Sequence, residues 1–251
     1  MPVSRRTFLG AASAAVLGAC SSKSHAAPSP ATQPTSGAGR PAPPPPGPGG
    51  PAAFVAHGPA DRPRVAFTFH GSGDPKLLHD LLDAAGSAGV PITVFAVGQW
   101  LDQQPVVAAE ILGNGHELAN HTYTHPALAG ADAATVAAEI TRCRDALTRL
   151  VGEPGAWFRP SGVATPSALI LAEAGKAGYR TVVGYDVDPL DYQDPPAATI
   201  VSRVKAGLHP GAIVSLHTGH GNTVGAFSPM VAAAREQGLT PVRVRDLLGP
   251  D

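Results

Sequence analysis

Two histidines four residues apart, His121 and His125, sit in the segment Gly115-His116-Glu117-Leu118-Ala119-Asn120-His121-Thr122-Tyr123-Thr124-His125-Pro126. On a helix, positions i and i+4 share a face, so both imidazoles reach one cation. Neutral imidazole nitrogens suit zinc or a similar transition ion. The spacing alone is a weak signal, because a pair of surface histidines also satisfies it. Four further clusters carry the same kind of chemistry: His70-Gly71-Ser72-Gly73-Asp74, Arg159-Pro160-Ser161, Asp186-Val187-Asp188 with Asp191, and His217-Thr218-Gly219-His220. Each of these four follows a short apolar run.

Those runs are the elements that must position the clusters. Arg64–Phe69, Pro91–Val97, Ala156–Phe158, Arg180–Tyr185 and Ala212–Leu216 read as buried strands. Pro75–Ala88, Pro105–Leu112, Asp132–Leu150, Pro166–Lys176, Ala197–Ala206 and Val224–Gln237 read as helices, the first with Leu77, Leu78, Leu81, Leu82 and Ala85 at helical spacing. Strand–helix alternation predicts an α/β fold with mostly parallel strands. An open doubly wound sheet and a closed or distorted barrel share this periodicity. In both, ligands bind at the carboxyl ends of strands, which is where histidine, arginine and carboxylate recur.

The N-terminus reads as an address. Arg5 and Arg6 precede an apolar stretch from Thr7 to Leu17, and Ser4–Leu9 resembles a twin-arginine export signal, with Gly10 in place of its closing lysine. Leu17-Gly18-Ala19-Cys20 resembles a bacterial lipobox, in which Cys20 is lipidated; an ordinary signal peptide containing a cysteine is the other reading. Residues 1–19 are expected to be the signal, and 20–62 a tether rich in Pro, Gly, Ser and Ala. The folded domain is expected over 63–251. The tether includes most of residues 28–51, which hold 10 of the 27 prolines, and it has too few large apolar groups to offset its ordering entropy. A stalk holding the domain off a membrane and a linker of unselected length fit it equally. The expected location is the outer face of a bacterial membrane, or secretion.

The 251 residues carry a formal net charge of -1 and no basic run after Arg6, so nucleic acid is not an expected partner. Two cysteines exclude a disulfide scaffold, and Cys143 reads as a buried helix residue. No apolar stretch reaches the roughly 18 residues of a membrane-spanning helix.

Thr68-Phe69, the Gly115–Pro126 segment, Phe158-Arg159-Pro160, Asp188–Asp191 and Ile213–His217 occur in that order, with Val94–Gly98 and the tail Met230–Leu248 fitting the same pattern. From about Arg64 to Leu248 the chain resembles the polysaccharide deacetylase family, the NodB-type carbohydrate esterases. The resemblance implies a distorted (β/α) barrel of mostly parallel strands. It also implies a hydrolase that removes N- or O-acetyl groups from a polysaccharide or oligosaccharide using one divalent metal ion, with zinc the expected metal. We expect a monomer. Carried over by position, His121 and His125 become metal ligands, Arg159 orients the catalytic carboxylate, His217 is the general acid and Asp191 holds it charged.

The first motif departs from the family's Thr-Phe-Asp-Asp-Gly-Pro, in which the first Asp is the base and the second a metal ligand. Here His70 stands at the base position and Gly71 at the ligand position. In one reading Asp74 folds back across a flexible Gly71-Ser72-Gly73 loop as base or third metal ligand, and His70 takes the other role. In the other, catalysis is lost and the domain binds glycans or nothing. Ser161-Gly162 also replaces the family's Pro-aromatic pair.

Overall fold

The computed structural model describes residues 49–249; the expected signal, Cys20 and most of the expected tether lie outside them. In chain order the elements are β1 (Ala53–Val55), β2 (Arg64–Gly71), α1 (Pro75–Ala88), β3 (Thr93–Ala96), α2 (Gly98–Gln103), α3 (Pro105–Gly113), β4 (Glu117–Asn120), α4 (Ala133–Val151), α5 (Ala168–Lys176) and β5 (Thr181–Val183). A 3-10 turn at Asp191–Gln193 follows, then α6 (Ala197–Gly207), β6 (Ile213–His217), α7 (Gly221–Glu236), β7 (Thr240–Pro241) and α8 (Val244–Leu248). All strand pairings are parallel, as the alternation predicted. One ladder runs β4-β3-β2-β6 with β7 also on β2, and a second joins β1 to β5. Single bridges at Asn120–Phe158, Phe158–Val182 and Val187–Val214 carry the strand order from β4 to β5 and back to β6. No continuous closed barrel is formed by the ladders among the described residues.

Strand parity decides what faces where, because residues two apart share a face. Val65, Phe67 and Phe69 of β2 join the core shared with α1 and α7, where Phe227 meets both phenylalanine rings at about 6 Å. The opposite face carries Ala66, Phe95, Ala119, Trp157, Val183 and Ile213, which form a separate inner cluster. Continuing each inner row toward the strand ends brings Thr68, His70, His121, Arg159, Ser215 and His217 onto one side. Helix boundaries follow their caps. Asp74 caps α1 and Gly89 ends it in the left-handed region; Asp132 and Gly152 do the same for α4.

Three expectations are corrected. The tether does not run to residue 62: Ala52 is buried, Ala53–Val55 pair with β5, and Phe54 packs against the cluster beneath α5. Ala156–Phe158 contributes only bridges through Phe158. His121 and His125 lie on no helix; they follow β4 in a loop with left-handed φ at Thr122 (67°) and His125 (62°). The docking of residues 50–55 depends on Gly175 of α5, where a Cβ would lie 1.9 Å from the Gly50 carbonyl oxygen. Gly175→Ala is therefore expected to cost about 1–3 kcal/mol in urea or thermal unfolding. Unchanged stability would show that this docking contributes nothing.

Candidate active site

β2 and β6 end side by side, with His70 and His217 in register. The His217 Nδ1 hydrogen is donated to Asp191 Oδ1 (2.7 Å), and the His217 backbone N–H to Asp191 Oδ2 (2.8 Å). Asp191 is fully buried in the 3-10 turn and also accepts from Thr223 Oγ1 (2.7 Å). With its Nδ1 hydrogen committed, neutral His217 presents an Nε2 lone pair, and His70 Nδ1 lies 3.0 Å from it. His70 then donates through Nδ1, which leaves its Nε2 a lone pair that is buried and without a partner. Its ring lies against that of His121, centroids 4.2 Å apart. Burial, then the fields of His121 and Arg159, hold the His70 pKa well below the ordinary imidazole value, so His70 is neutral at pH 7.

The His121–His125 loop is gripped from two sides. At the start of α2, Gly98 and Gln99 donate backbone N–H groups to the Thr122 and Tyr123 carbonyls (3.0 and 2.8 Å). From α4, the carboxylate of Glu139 accepts the Tyr123 and Thr124 N–H groups (2.8 and 2.7 Å) and the Thr124 hydroxyl (2.7 Å). Asn120 Oδ1 accepts from Thr122 N (2.9 Å), while its amide donates to the Ile140 carbonyl and to Tyr179 Oη. His121 donates Nδ1–H to the Arg159 carbonyl (2.9 Å), which fixes its tautomer and turns its Nε2 lone pair inward. His125 Nε2 lies 3.1 Å from that atom. Burial lowers the pKa of both rings, so both are neutral, and the His121 Nε2 lone pair faces His125 Nε2.

Arg159 does not orient a carboxylate. It is buried beneath the histidines and donates to Thr68 Oγ1 (2.9 Å), the Val183 carbonyl (3.0 Å) and the Gly184 carbonyl (2.8 Å). Its guanidinium lies 4.0 Å from the centre of the Phe95 ring. Desolvation brings its pKa down to about 9, which leaves it charged at neutral pH. With His70 in place of an aspartate, carbonyls and an aromatic face replace the carboxylate it was expected to hold.

Asp74 does not fold back over the site. Its exposed side chain accepts the Lys76 N–H (2.9 Å) as the N-cap of α1. The loop before it is fixed: Trp100 Nε1 donates to the Gly73 carbonyl (2.9 Å), Ser72 N–H donates to Thr218 Oγ1 (3.0 Å), and a Cβ on Gly73 would sit 2.8 Å from Gly219 Cα. Gly71 lies on the outer face of β2, where a Cβ would meet Val94 Cγ1 at 2.7 Å and Trp100 Cζ3 at 3.2 Å. Among the described residues, no group of three or more His, Cys, Asp or Glu side chains is arranged to hold a metal ion. The donor chemistry of the His121–His125 pair suits such an ion, and the His70 ring, with its unpartnered Nε2, lies against His121 at a centroid distance of 4.2 Å. Asp74→Ala is expected to cost about 1 kcal/mol of stability, the worth of a cap, and to leave zinc binding at wild-type strength in a chelator competition. A large loss of zinc affinity would return Asp74 to the site.

Glu139 and Thr223 were not singled out from sequence, and Thr68 entered only as part of the Thr68-Phe69 motif, without a role. Parity alone would have found Thr68, one inner position before His70, whereas Glu139 sits at an ordinary helix position. Cys143 on α4 is buried as expected, and burial pushes its thiol up to about 12. Iodoacetamide at pH 8 should leave the Cys143 peptide unmodified in the native chain and alkylate it after unfolding, as read by mass spectrometry.

A family sequence model described as polysaccharide deacetylase matches residues 57–182. The chain is 36% identical to a chitooligosaccharide deacetylase of Bradyrhizobium sp. over 62% of its own length and 71% of the relative's. It is 30% identical to a peptidoglycan-N-acetylglucosamine deacetylase of Bacillus cereus, over 73% and 87% of the two chains. In fold it is similar to a family 4 carbohydrate esterase pseudoenzyme from Bacillus anthracis (TM-score 0.74, 23% identity, 78% of this chain and 69% of that one).

Proposed function

This chain belongs to the polysaccharide deacetylase family and is a polysaccharide deacetylase-like hydrolase, and on that premise we propose that it removes acetyl groups from an N-acetylglucosamine polymer with a divalent ion held by His121 and His125. One observation carries the reading: the Nε2 atoms of His121 and His125 lie 3.1 Å apart. Nitrogens about 2.0–2.1 Å from a tetrahedral zinc lie about 3.3 Å apart, close to that separation. His70 Nε2, neutral and unpartnered, is the third donor in place of the family's aspartate. When bound, zinc would polarise the acetyl carbonyl and acidify water. His217, backed by Asp191, carries the proton: once substrate displaces His70 Nδ1, the His217 Nε2 lone pair takes up the proton released by the attacking water and passes it to the leaving amine. The N-acetylglucosamine substrate class is supported by the similarity to a chitooligosaccharide deacetylase and to a peptidoglycan-N-acetylglucosamine deacetylase.

The test is acetate release by the full-length chain from acetylated chitooligosaccharides, peptidoglycan and acetylxylan, with and without chelator. Chelator should abolish release, and His217→Ala should lower kcat at least about 100-fold. Chelator-resistant release would sink the metal assignment. The absence of release from every substrate would favour the catalytically inactive glycan-binding lipoprotein, a reading supported by the closed Gly71 position and by Asp74's role as a cap.

We further propose that the chain is exported and anchored through a lipid on Cys20. Cys20→Ala should shift it from the membrane fraction to the soluble or unprocessed pool; unchanged partition overturns the anchor.

A further inference from the structure

Among the described residues, no basic side chain pairs with Glu139. At 6% exposure on α4 it is a buried carboxylate whose hydrogen bonds all go to the loop between the two facing histidines: Tyr123 N–H, Thr124 N–H and the Thr124 hydroxyl. That loop needs such a grip. It places two non-glycine residues, Thr122 and His125, in the left-handed region, a costly conformation for the β-branched Thr122 in particular, which persists only where surroundings over-determine it. The loop carbonyls are satisfied by α2, while the loop's 123 and 124 N–H groups have Glu139 alone. The carboxylate is also within electrostatic reach of His125, where it favours positive charge.

We infer that Glu139 is a positioning residue. Its carboxylate holds the left-handed turns that aim His125 Nε2 at His121 Nε2, and it places a fixed negative charge behind that pair, which strengthens its hold on a divalent cation. The statement about the cation rests on the proposed function; the statement about the turns does not.

The experiment separates the two with two variants of the full-length chain. Glu139→Gln keeps shape and one acceptor but removes the charge; Glu139→Ala removes both. Without metal, wild type and Glu139→Gln should show a nuclear Overhauser contact between the His121 and His125 rings and slow exchange of the Tyr123 and Thr124 amides. Glu139→Ala should lose both while the Asn120-held Thr122 amide stays protected. Zinc affinity, read by competition with a chromophoric chelator, should fall about 10-fold in Glu139→Gln and about 100-fold in Glu139→Ala, the range expected for groups that orient ligands. If Glu139→Ala keeps the ring contact and the slow amides, the positioning role is overturned. If the loop behaves as expected but Glu139→Gln binds zinc as tightly as wild type, the charge contributes nothing and that half of the inference falls. A wild type that takes up no zinc refutes the proposed cation site, and the amide and ring measurements still decide the role of Glu139. Should Glu139→Ala fail to fold, the Glu139→Gln affinity and a Thr124→Val variant, which removes one of the three donors, read the same question.

Discussion

A buried guanidinium, with no carboxylate paired to it among the described residues, sets the terms for everything above it. Arg159 occupies the end of the inner row after Trp157, and a charge at that depth is tolerable only if it is fully hydrogen-bonded. The chain meets that demand from three directions, with a threonine hydroxyl from β2, two carbonyls from the end of β5, and the face of Phe95 from β3. Arg159 therefore ties together strands that pair only through short ladders and single bridges. It also imposes a sign on the site. Burial, and after it the fields of neighbouring rings and of this fixed positive charge, disfavours protonation, so His70 and His121 are neutral rather than cationic.

Negative charge enters from the periphery. Asp191 stands behind His217, Glu139 behind the loop of His125, and neither carboxylate points its own oxygens at the space between the rings. The result is a site of imidazole nitrogens with carboxylates one hydrogen bond away. This differs from a site with a carboxylate in direct contact with its ion: Asp191 fixes the tautomer and orientation of the His217 ring, and Glu139 bonds only the loop that carries His125.

Much of this was legible where local signals and tertiary demands agree. α1 and α4 could be read almost to the residue, because Asp74 and Asp132 begin them and Gly89 and Gly152 end them. The Asp191–His217 pairing followed from the resemblance and is present in the geometry. β4 was not legible: Glu117-Leu118-Ala119-Asn120 has no alternation, since both faces are buried, and Glu117 is satisfied by Thr93, Trp157 and Arg245 from distant parts of the chain. β1 was hidden by the proline-rich composition before it. The histidine spacing was visible but its conformation was not, because left-handed turns are held there by hydrogen bonds from α2 and α4. Asp74 was misplaced because Gly71-Ser72-Gly73 suggests freedom, whereas Trp100 and Thr218 remove it.

Gly71 bears on how this site and a carboxylate-bearing one are related. Its outward direction is filled by Val94 and the indole of Trp100, the same indole that fastens the Gly73 carbonyl. An aspartate placed at that position would drive a charged group into the apolar layer between β2 and α2 and loosen the loop at the same time. Room for a side chain at 71 has to come from Val94, the nearer neighbour, as well as from Trp100, so the bare glycine and the fastened loop after β2 are held in place by the same packing.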